Sequence, residues 1–87
     1  MSETVQCWLV ERTFDDRNLV TIVYATEDGE RYLQQERSAN SLTRNPVTAG
    51  KEVEEESLEP VPDEETRARY ANEVSRTSEQ YAPGDAI

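Results

Sequence analysis

The chain has no histidine, one cysteine, three glycines and one lysine among its 87 residues. Without histidine, catalytic Ser–His and Cys–His pairs and histidine-ligated zinc sites are excluded. Cys7 alone cannot form an internal disulfide or a cysteine cluster that binds a metal. Gly50-Lys51 lacks both the glycine five residues earlier and the following Ser or Thr of a phosphate-binding loop. These absences remove the commonest catalytic and cofactor-binding sites.

Long hydrophobic runs are also missing from the chain. No apolar stretch approaches the ~18 residues of a membrane-spanning helix, and residues 1–4 lack the basic and apolar regions of a signal peptide. Hydrophobic residues make up 34% of the chain, so the core must be thin. We expect a soluble, cytoplasmic protein with a single domain over residues 1–82 and a frayed tail over residues 83–87.

Negative charge dominates the composition. Nineteen acidic residues against nine basic ones give a net charge of −10, and Lys51 is the only basic residue that is not arginine. Low hydrophobicity with high net charge is typical of disordered chains. Adaptation to concentrated salt is the other explanation, because screening removes most of the repulsion between carboxylates. The avoidance of lysine and the alternating apolar runs favour a folded, salt-adapted protein.

Apolar alternation and turn signals predict an antiparallel β-meander over residues 4–37. Its three strands are expected over residues 4–13, 19–25 and 31–37, which are rich in β-branched and aromatic side chains. Aspartate and asparagine at residues 15–18 supply the first turn, and Asp28-Gly29 is a tight-hairpin signal.

The second half of the chain is less regular until a helix begins. Residues 38–50 are expected to form a loop with a short helical turn near Leu42, and residues 51–61 either a fourth, edge strand or an extended linker. Asp63 is the expected N-cap of a helix that ends near Gln80. The predicted fold class is therefore α+β, a three-stranded antiparallel meander packed with a C-terminal helix.

The predicted sheet has more apolar surface than one helix can cover. Alternation places Trp8 and Val10 opposite the face that carries Val5 and Leu9. We expect the C-terminal helix to lie against Val5, Leu9 or Ile22, so the Trp8 face needs another cover. Either residues 38–61 fold over it or a second protein chain packs against it, as a partner or as the other half of a homodimer. The candidate protein interface consists of Trp8, Val10, Phe14 and Tyr24.

Nucleic-acid binding is the alternative function. The candidate contact residues are Arg31, Tyr32, Arg37 and Arg44, because arginines with an aromatic ring can contact phosphates and stack on bases. Against this, the field of the whole acidic chain repels polyanions. Ion pairs with Glu11, Glu30 and Glu36 would also account for the arginines.

Cys7 and the acidic runs are interpreted as structural. Cys7 lies in mid-strand among apolar neighbours, where burial raises the pKa of the thiol and suppresses its reactivity. The acidic runs at residues 54–56 and 63–65 lack the alternating ligands and central glycine of an EF-hand loop. Catalytic carboxylate pairs need a buried member, and these runs lie in polar sequence. We therefore expect no enzymatic activity, no cofactor and no metal.

Several short strings of the sequence resemble those of a known group of proteins. They are Cys7-Trp8-Leu9-Val10-Glu11-Arg12, Tyr24-Ala25-Thr26, Asp28-Gly29-Glu30-Arg31-Tyr32 and residues 67–71. Together they resemble the small, uncharacterised acidic proteins found in halophilic archaea. The resemblance spans most of the chain and implies a cytoplasmic, salt-adapted domain, without a known activity. The function that the sequence favours is a small, non-enzymatic protein-interaction or regulatory module, which self-associates if the Trp8 face is its contact.

Overall fold

The structure, a computed structural model, describes residues 3–87 apart from the side chain of Thr43. In chain order the elements are β1 (Thr4–Phe14), β2 (Leu19–Thr26), β3 (Arg31–Ser38), α1 (Ala39–Arg44), β4 (Gly50–Glu54), a 3-10 turn (Glu55–Ser57), β5 (Glu59–Pro60) and α2 (Glu64–Gln80). The strands form one antiparallel sheet in the order β4-β1-β2-β3-β5. The predicted α+β class and the meander of β1, β2 and β3 are confirmed.

The β2–β3 turn is held by its own polar groups and by α2. Gly29 has a φ of 72°, and its N–H donates to the Thr26 carbonyl at 2.8 Å. Glycine adopts this left-handed conformation without the steric cost of a side chain. A Cβ at Gly29 would also overlap the backbone of Arg67 and Ala71. The turn therefore needs glycine both for its conformation and for its close approach to the helix.

Residues 39–60 cross the sheet twice. The first crossing, residues 39–49, leads from β3 to β4 at the far edge, where β4 pairs with β1. The second crossing, residues 55–58, returns the chain to β5, which pairs with Arg31 and Tyr32 of β3. Of the two alternatives for residues 51–61, the edge strand is correct, and it is divided between the two edges of the sheet.

Both crossings contribute side chains to the same face of the sheet. Leu42 and Val47 come from the first crossing and Leu58 from the second, and they pack on the core cluster that contains Cys7. The strand and loop residues of this cluster are Cys7, Leu9, Val20, Ile22, Tyr24, Val47 and Val53. This face is therefore covered by short pieces of chain and not by a long helix.

Helix α2 packs on the opposite face, where Tyr70 and Val74 contact the cluster that contains Trp8. The prediction that this helix lies against Val5, Leu9 or Ile22 is wrong. The physical reason is that the two crossings already cover that face, which leaves the Trp8 face for the helix. Ala25 and Ala49 are small members of the Trp8 cluster and let the helix approach closely.

The ends of α2 follow the sequence signals. Asp63 is the N-cap, and it accepts hydrogen bonds from the Thr66 N–H at 2.9 Å and the Thr66 hydroxyl at 2.7 Å. These bonds to Thr66 lower the pKa of Asp63. Glu64 and Glu65 lie in the first turn, where negative charge complements the helix dipole. The predicted cap and the predicted end near Gln80 are confirmed.

The C-terminal residues 83–87, predicted as frayed, are bonded to the chain that leads into β4. The Gly50 N–H donates to the Pro83 carbonyl at 2.9 Å, and the Ala49 N–H to the Asp85 carbonyl at 2.8 Å. The Ile87 N–H donates to the Val47 carbonyl at 2.8 Å. The tail therefore satisfies backbone groups that the sheet margin would otherwise present to solvent.

Candidate interaction surface

The two aromatic residues at the centre of the predicted interface lie in the core. Trp8 is 7% exposed and packs beneath α2 with Val61, whereas Tyr24 is 4% exposed and belongs to the cluster on the other face. The Tyr24 hydroxyl donates to the Thr48 carbonyl at 3.0 Å. The structure therefore does not bring Trp8 and Tyr24 together, and the protein's own chain covers both of them.

The other two predicted residues lie near the surface at the distal end of β1. The pairing of β1 with β2 shifts between Leu9 and Glu11, a β-bulge that leaves Val10 out of the ladder and half-buried. Phe14, at the end of the strand, is 73% exposed. Val10 also lines an open cavity of about 300 Å³ together with Arg12, Tyr81 and Ile87.

We call Val10, Phe14, Tyr81 and Ile87 the distal patch. Tyr81 is 38% and Ile87 36% exposed, and Phe14 lies two residues beyond Arg12 on the same side of the strand. The cavity is small, and its lining is mixed: the apolar side chains are Leu9, Val10, Tyr81 and Ile87, and the polar ones are Glu11, Arg12, Glu73 and Thr77. The distal patch can therefore receive an apolar side chain from another molecule.

Two polar contacts hold the distal patch in shape. The Thr77 hydroxyl donates to the Leu9 carbonyl at 3.1 Å, beside the bulge, and fixes the last turn of α2 on β1. The Arg12 guanidinium donates to the Ile87 carbonyl at 3.0 Å and fixes the tail. The sequence does not predict Ile87 as part of this patch, because Ile87 lies in the tail expected to be frayed, and no pattern in the sequence marks the bulge.

The structure disperses the four candidate nucleic-acid contacts. Arg31 pairs with Glu55 at 3.5 Å, and the Tyr32 hydroxyl donates to Glu59 at 3.3 Å. Arg37 donates to two neutral oxygens, the Ser41 hydroxyl and the Asn45 carbonyl, both at 2.9 Å. Arg44 lies in the last turn of α1 and is exposed. Their partners are not the glutamates expected from sequence, and three of the four groups are engaged within the chain.

Cys7 has the structural position that the sequence predicts. It is fully buried, and burial raises the pKa of its thiol to about 11. The thiol is therefore protonated near neutral pH and is a poor nucleophile. Within residues 3–87, no cluster of three or more Cys, Asp or Glu side chains has the geometry to hold a metal ion. None of the helices in this range is both long and apolar enough to cross a bilayer.

The hydrogen-bonding pattern of the sheet shows which backbone groups of β3 point away from β2. In an antiparallel sheet, successive residues turn their N–H and C=O alternately toward one neighbouring strand and the other. The Asp15 N–H donates to the Leu19 carbonyl at 2.8 Å, so Leu19 faces β1 and Ile22, three residues on, faces β3. Gln35, the partner of Ile22, therefore faces β2.

Gln34 and Glu36 consequently turn their N–H and C=O groups away from the sheet. Just before the strand, Glu30 shows the same outward direction of the even-numbered residues, because its carbonyl accepts from the Val61 N–H at 2.8 Å. β5 pairs with β3 only at Arg31 and Tyr32. In the part of the chain that the structure describes, no strand lies alongside residues 34–36.

The opposite edge of the sheet, formed by β4, has a different character. The Glu55 N–H donates to the Glu3 carbonyl at 2.9 Å, so Glu55 faces the chain of β1. Because the direction alternates along the strand, the backbone groups of Glu52 and Glu54 face outward. Both side chains are exposed carboxylates. Charged side chains on an edge discourage pairing with another strand, and here they have the same sign as the whole protein.

Comparison with known proteins identifies the family to which the chain belongs. A family model described as a family of unknown function (DUF7967) matches residues 1–87, and the chain belongs to this family. No curated protein and no solved structure matches the chain.

Proposed function

We propose that this member of a family of unknown function is a small, non-enzymatic protein-interaction module and that a partner protein docks on the distal patch. The observation that carries the proposal is the position of the exposed apolar side chains. Among the described residues, the exposed large hydrophobic side chains are Phe14, Tyr81 and Ile87. Tyr81 and Ile87 line the cavity, and Phe14 lies two residues along β1 from Arg12, which also lines it. Grouped apolar side chains on an acidic surface are typical of an interaction site.

The geometry also indicates the chemistry of the partner. An apolar side chain would enter the cavity between Val10 and Tyr81. Arg12 lines the same cavity and uses one of its five donors on the Ile87 carbonyl, which leaves donors for a carboxylate or carbonyl of the partner. The best fit is therefore an apolar side chain flanked by a hydrogen-bond acceptor.

Two further properties support the proposal. The one thiol of the chain is buried and protonated, so it supports a structural and not a catalytic role. The net charge of −10 supports a salt-rich cytoplasm as the place where the module works, because screening is strongest there. We therefore specify binding assays in molar KCl.

Site-specific photo-crosslinking tests the proposal. A photoreactive phenylalanine analogue is placed at Phe14 or, as a control, at Asn72, which is exposed on α2. We expect a discrete crosslinked adduct from cell extract at Phe14 only, and excess wild-type protein should compete it away. A Phe14→Ser competitor should be at least about tenfold less effective, since truncating an interface aromatic usually costs this much or more. Equal adducts at Asn72, or equal competition by Phe14→Ser, would show that the distal patch is not the docking site.

A further inference from the structure

The open edge of β3 fits a second copy of this chain. We propose that two copies associate by pairing residues 34–36 of β3 antiparallel, about a two-fold axis that passes beside Gln35. This inference rests on the outward direction of the backbone groups of Gln34 and Glu36 and on the charge of the edge. It is independent of the distal patch.

The backbone groups available on the edge are self-complementary. With Gln35 opposite Gln35 of the second copy, Gln34 lies opposite the second copy's Glu36, and Glu36 lies opposite its Gln34. Both residues face outward, so each such pair exchanges its N–H and C=O groups. The pairing extends the antiparallel sheet across the two molecules without any change in β3.

Other symmetric registers are disfavoured by the structure. A two-fold axis perpendicular to the sheet keeps each face of the sheet on the same side in both copies. A different register that meets this condition must be centred on another residue, and the nearest ones are centred on Glu36 and on Gln34. The first of these places Glu36 opposite Glu36 of the second copy, and directly opposed like charges are destabilising. The register centred on Gln34 would pair Glu36 with Tyr32 of the second copy, but β5 already occupies the edge of β3 at Tyr32. The register centred on Gln35 remains.

Charge favours a second copy at this edge over the other edge. Residues 33–38 contain one glutamate and one arginine, so this stretch is neutral in a chain of net charge −10. On the α2 side of the sheet, the Gln34 carboxamide would donate to the second copy's Glu36 carboxylate. The stretch also lacks proline, glycine and a bulge, the devices that keep sheet edges apart.

Disulfide trapping tests both the edge and the register. Directly opposed residues that are not hydrogen-bonded have Cα atoms ~4.5 Å apart, within disulfide range, whereas the diagonal from Gln34 to its own copy is ~7–8 Å. We expect Gln35→Cys to give at least about tenfold more disulfide-linked dimer than Gln34→Cys, at about 1 mM protein because an interface this small is weak. The wild type should give none, since Cys7 is buried.

Wild-type measurements keep the outcome decisive even if a cysteine variant folds poorly. The amides of Gln34 and Glu36 should gain protection from hydrogen exchange as protein concentration rises, while those of Glu52 and Glu54 should not. A wild type that sediments as a monomer at about 1 mM in molar KCl overturns self-association. A wild-type dimer in which Gln34→Cys crosslinks as well as Gln35→Cys overturns the register. Neither result bears on partner docking at the distal patch.

Discussion

The distal patch and the β3 edge are built on opposite principles. The distal patch lies where the sheet is irregular, beside a bulge, and it offers exposed apolar side chains around a small cavity. The β3 edge lies where the sheet is regular and offers polar side chains and unpaired backbone groups. Apolar side chains select a partner by shape, whereas a strand edge accepts any extended chain whose charges permit approach. The two regions are therefore suited to different partners.

The largest expected effect is the separate loss of each contact, produced by one substitution in each region. Glu36→Pro removes an outward N–H of β3 and should weaken self-association at least about tenfold while leaving crosslinking at Phe14 unchanged. Phe14→Ser should weaken partner competition in the crosslinking assay at least about tenfold while leaving self-association unchanged. Sedimentation equilibrium and the competition assay measure the two properties on the same samples.

Glu52→Pro is the matched control for the loss of self-association. Glu52 also faces outward, on the β4 edge, so the substitution removes the same charge and the same kind of N–H. Proline is tolerated at such edge positions because no ladder hydrogen bond is lost. Glu52→Pro should associate like the wild type. If it weakens association as much as Glu36→Pro does, the contrast between the two edges is wrong.

The choice of salt should separate the two regions by a smaller amount. Raising KCl from about 0.1 M to 1 M shortens the screening length from ~10 Å to ~3 Å, which should strengthen self-association of this acidic chain several-fold. Replacing KCl with sodium sulfate at equal ionic strength should then strengthen docking at the distal patch about two- to threefold, because sulfate favours apolar burial. Self-association should change little in that exchange. The same KCl series followed by circular dichroism tests salt adaptation, since a fold equally stable at both salt concentrations contradicts it.

The sequence predicts those elements whose signals are local. Alternation of apolar residues places β1, β2 and β3, and Asp63 marks the start of α2, because strands and caps depend on near neighbours in the chain. The face on which α2 packs is not local, since it depends on which side residues 39–58 cross. Two apolar faces of similar composition give no sequence signal for that choice.

The candidate site was predictable in the same partial way. The sequence predicts that Val10 and Phe14 are apolar residues without an obvious cover, and in the structure Val10 is half-buried and Phe14 is exposed. The sequence also predicts Trp8 and Tyr24 at this interface, because no pattern shows that α2 covers Trp8 or that the chain around Thr48 covers Tyr24. Ile87 joins the distal patch through its N–H bond to Val47 and through the bond from Arg12 to its carbonyl, and no pattern in the sequence predicts either contact.

The smallest expected effect concerns the turn that sets the register of β3. The pKa of Asp28 is lowered, first by the hydrogen bond from the Thr26 hydroxyl and then by that from the Glu30 N–H. A carboxyl whose pKa is lower in the folded chain contributes stability above its unfolded pKa, near 3.8, and loses it as pH falls through the folded value. Asp28→Asn should therefore slightly lower the denaturation midpoint at pH 7, and the difference from wild type should shrink toward pH 3.

Asp16→Asn is the matched control for the removal of one carboxylate, because Asp16 lies exposed in the β1–β2 turn. It should leave the midpoint at pH 7 near that of the wild type. Asp28→Asn should also reduce self-association slightly, since the turn positions β3, and it should not affect docking at the distal patch. If Asp28→Asn disturbs the distal patch as much as the β3 edge, the two ends of the sheet are coupled, and the separation between the two contacts is lost.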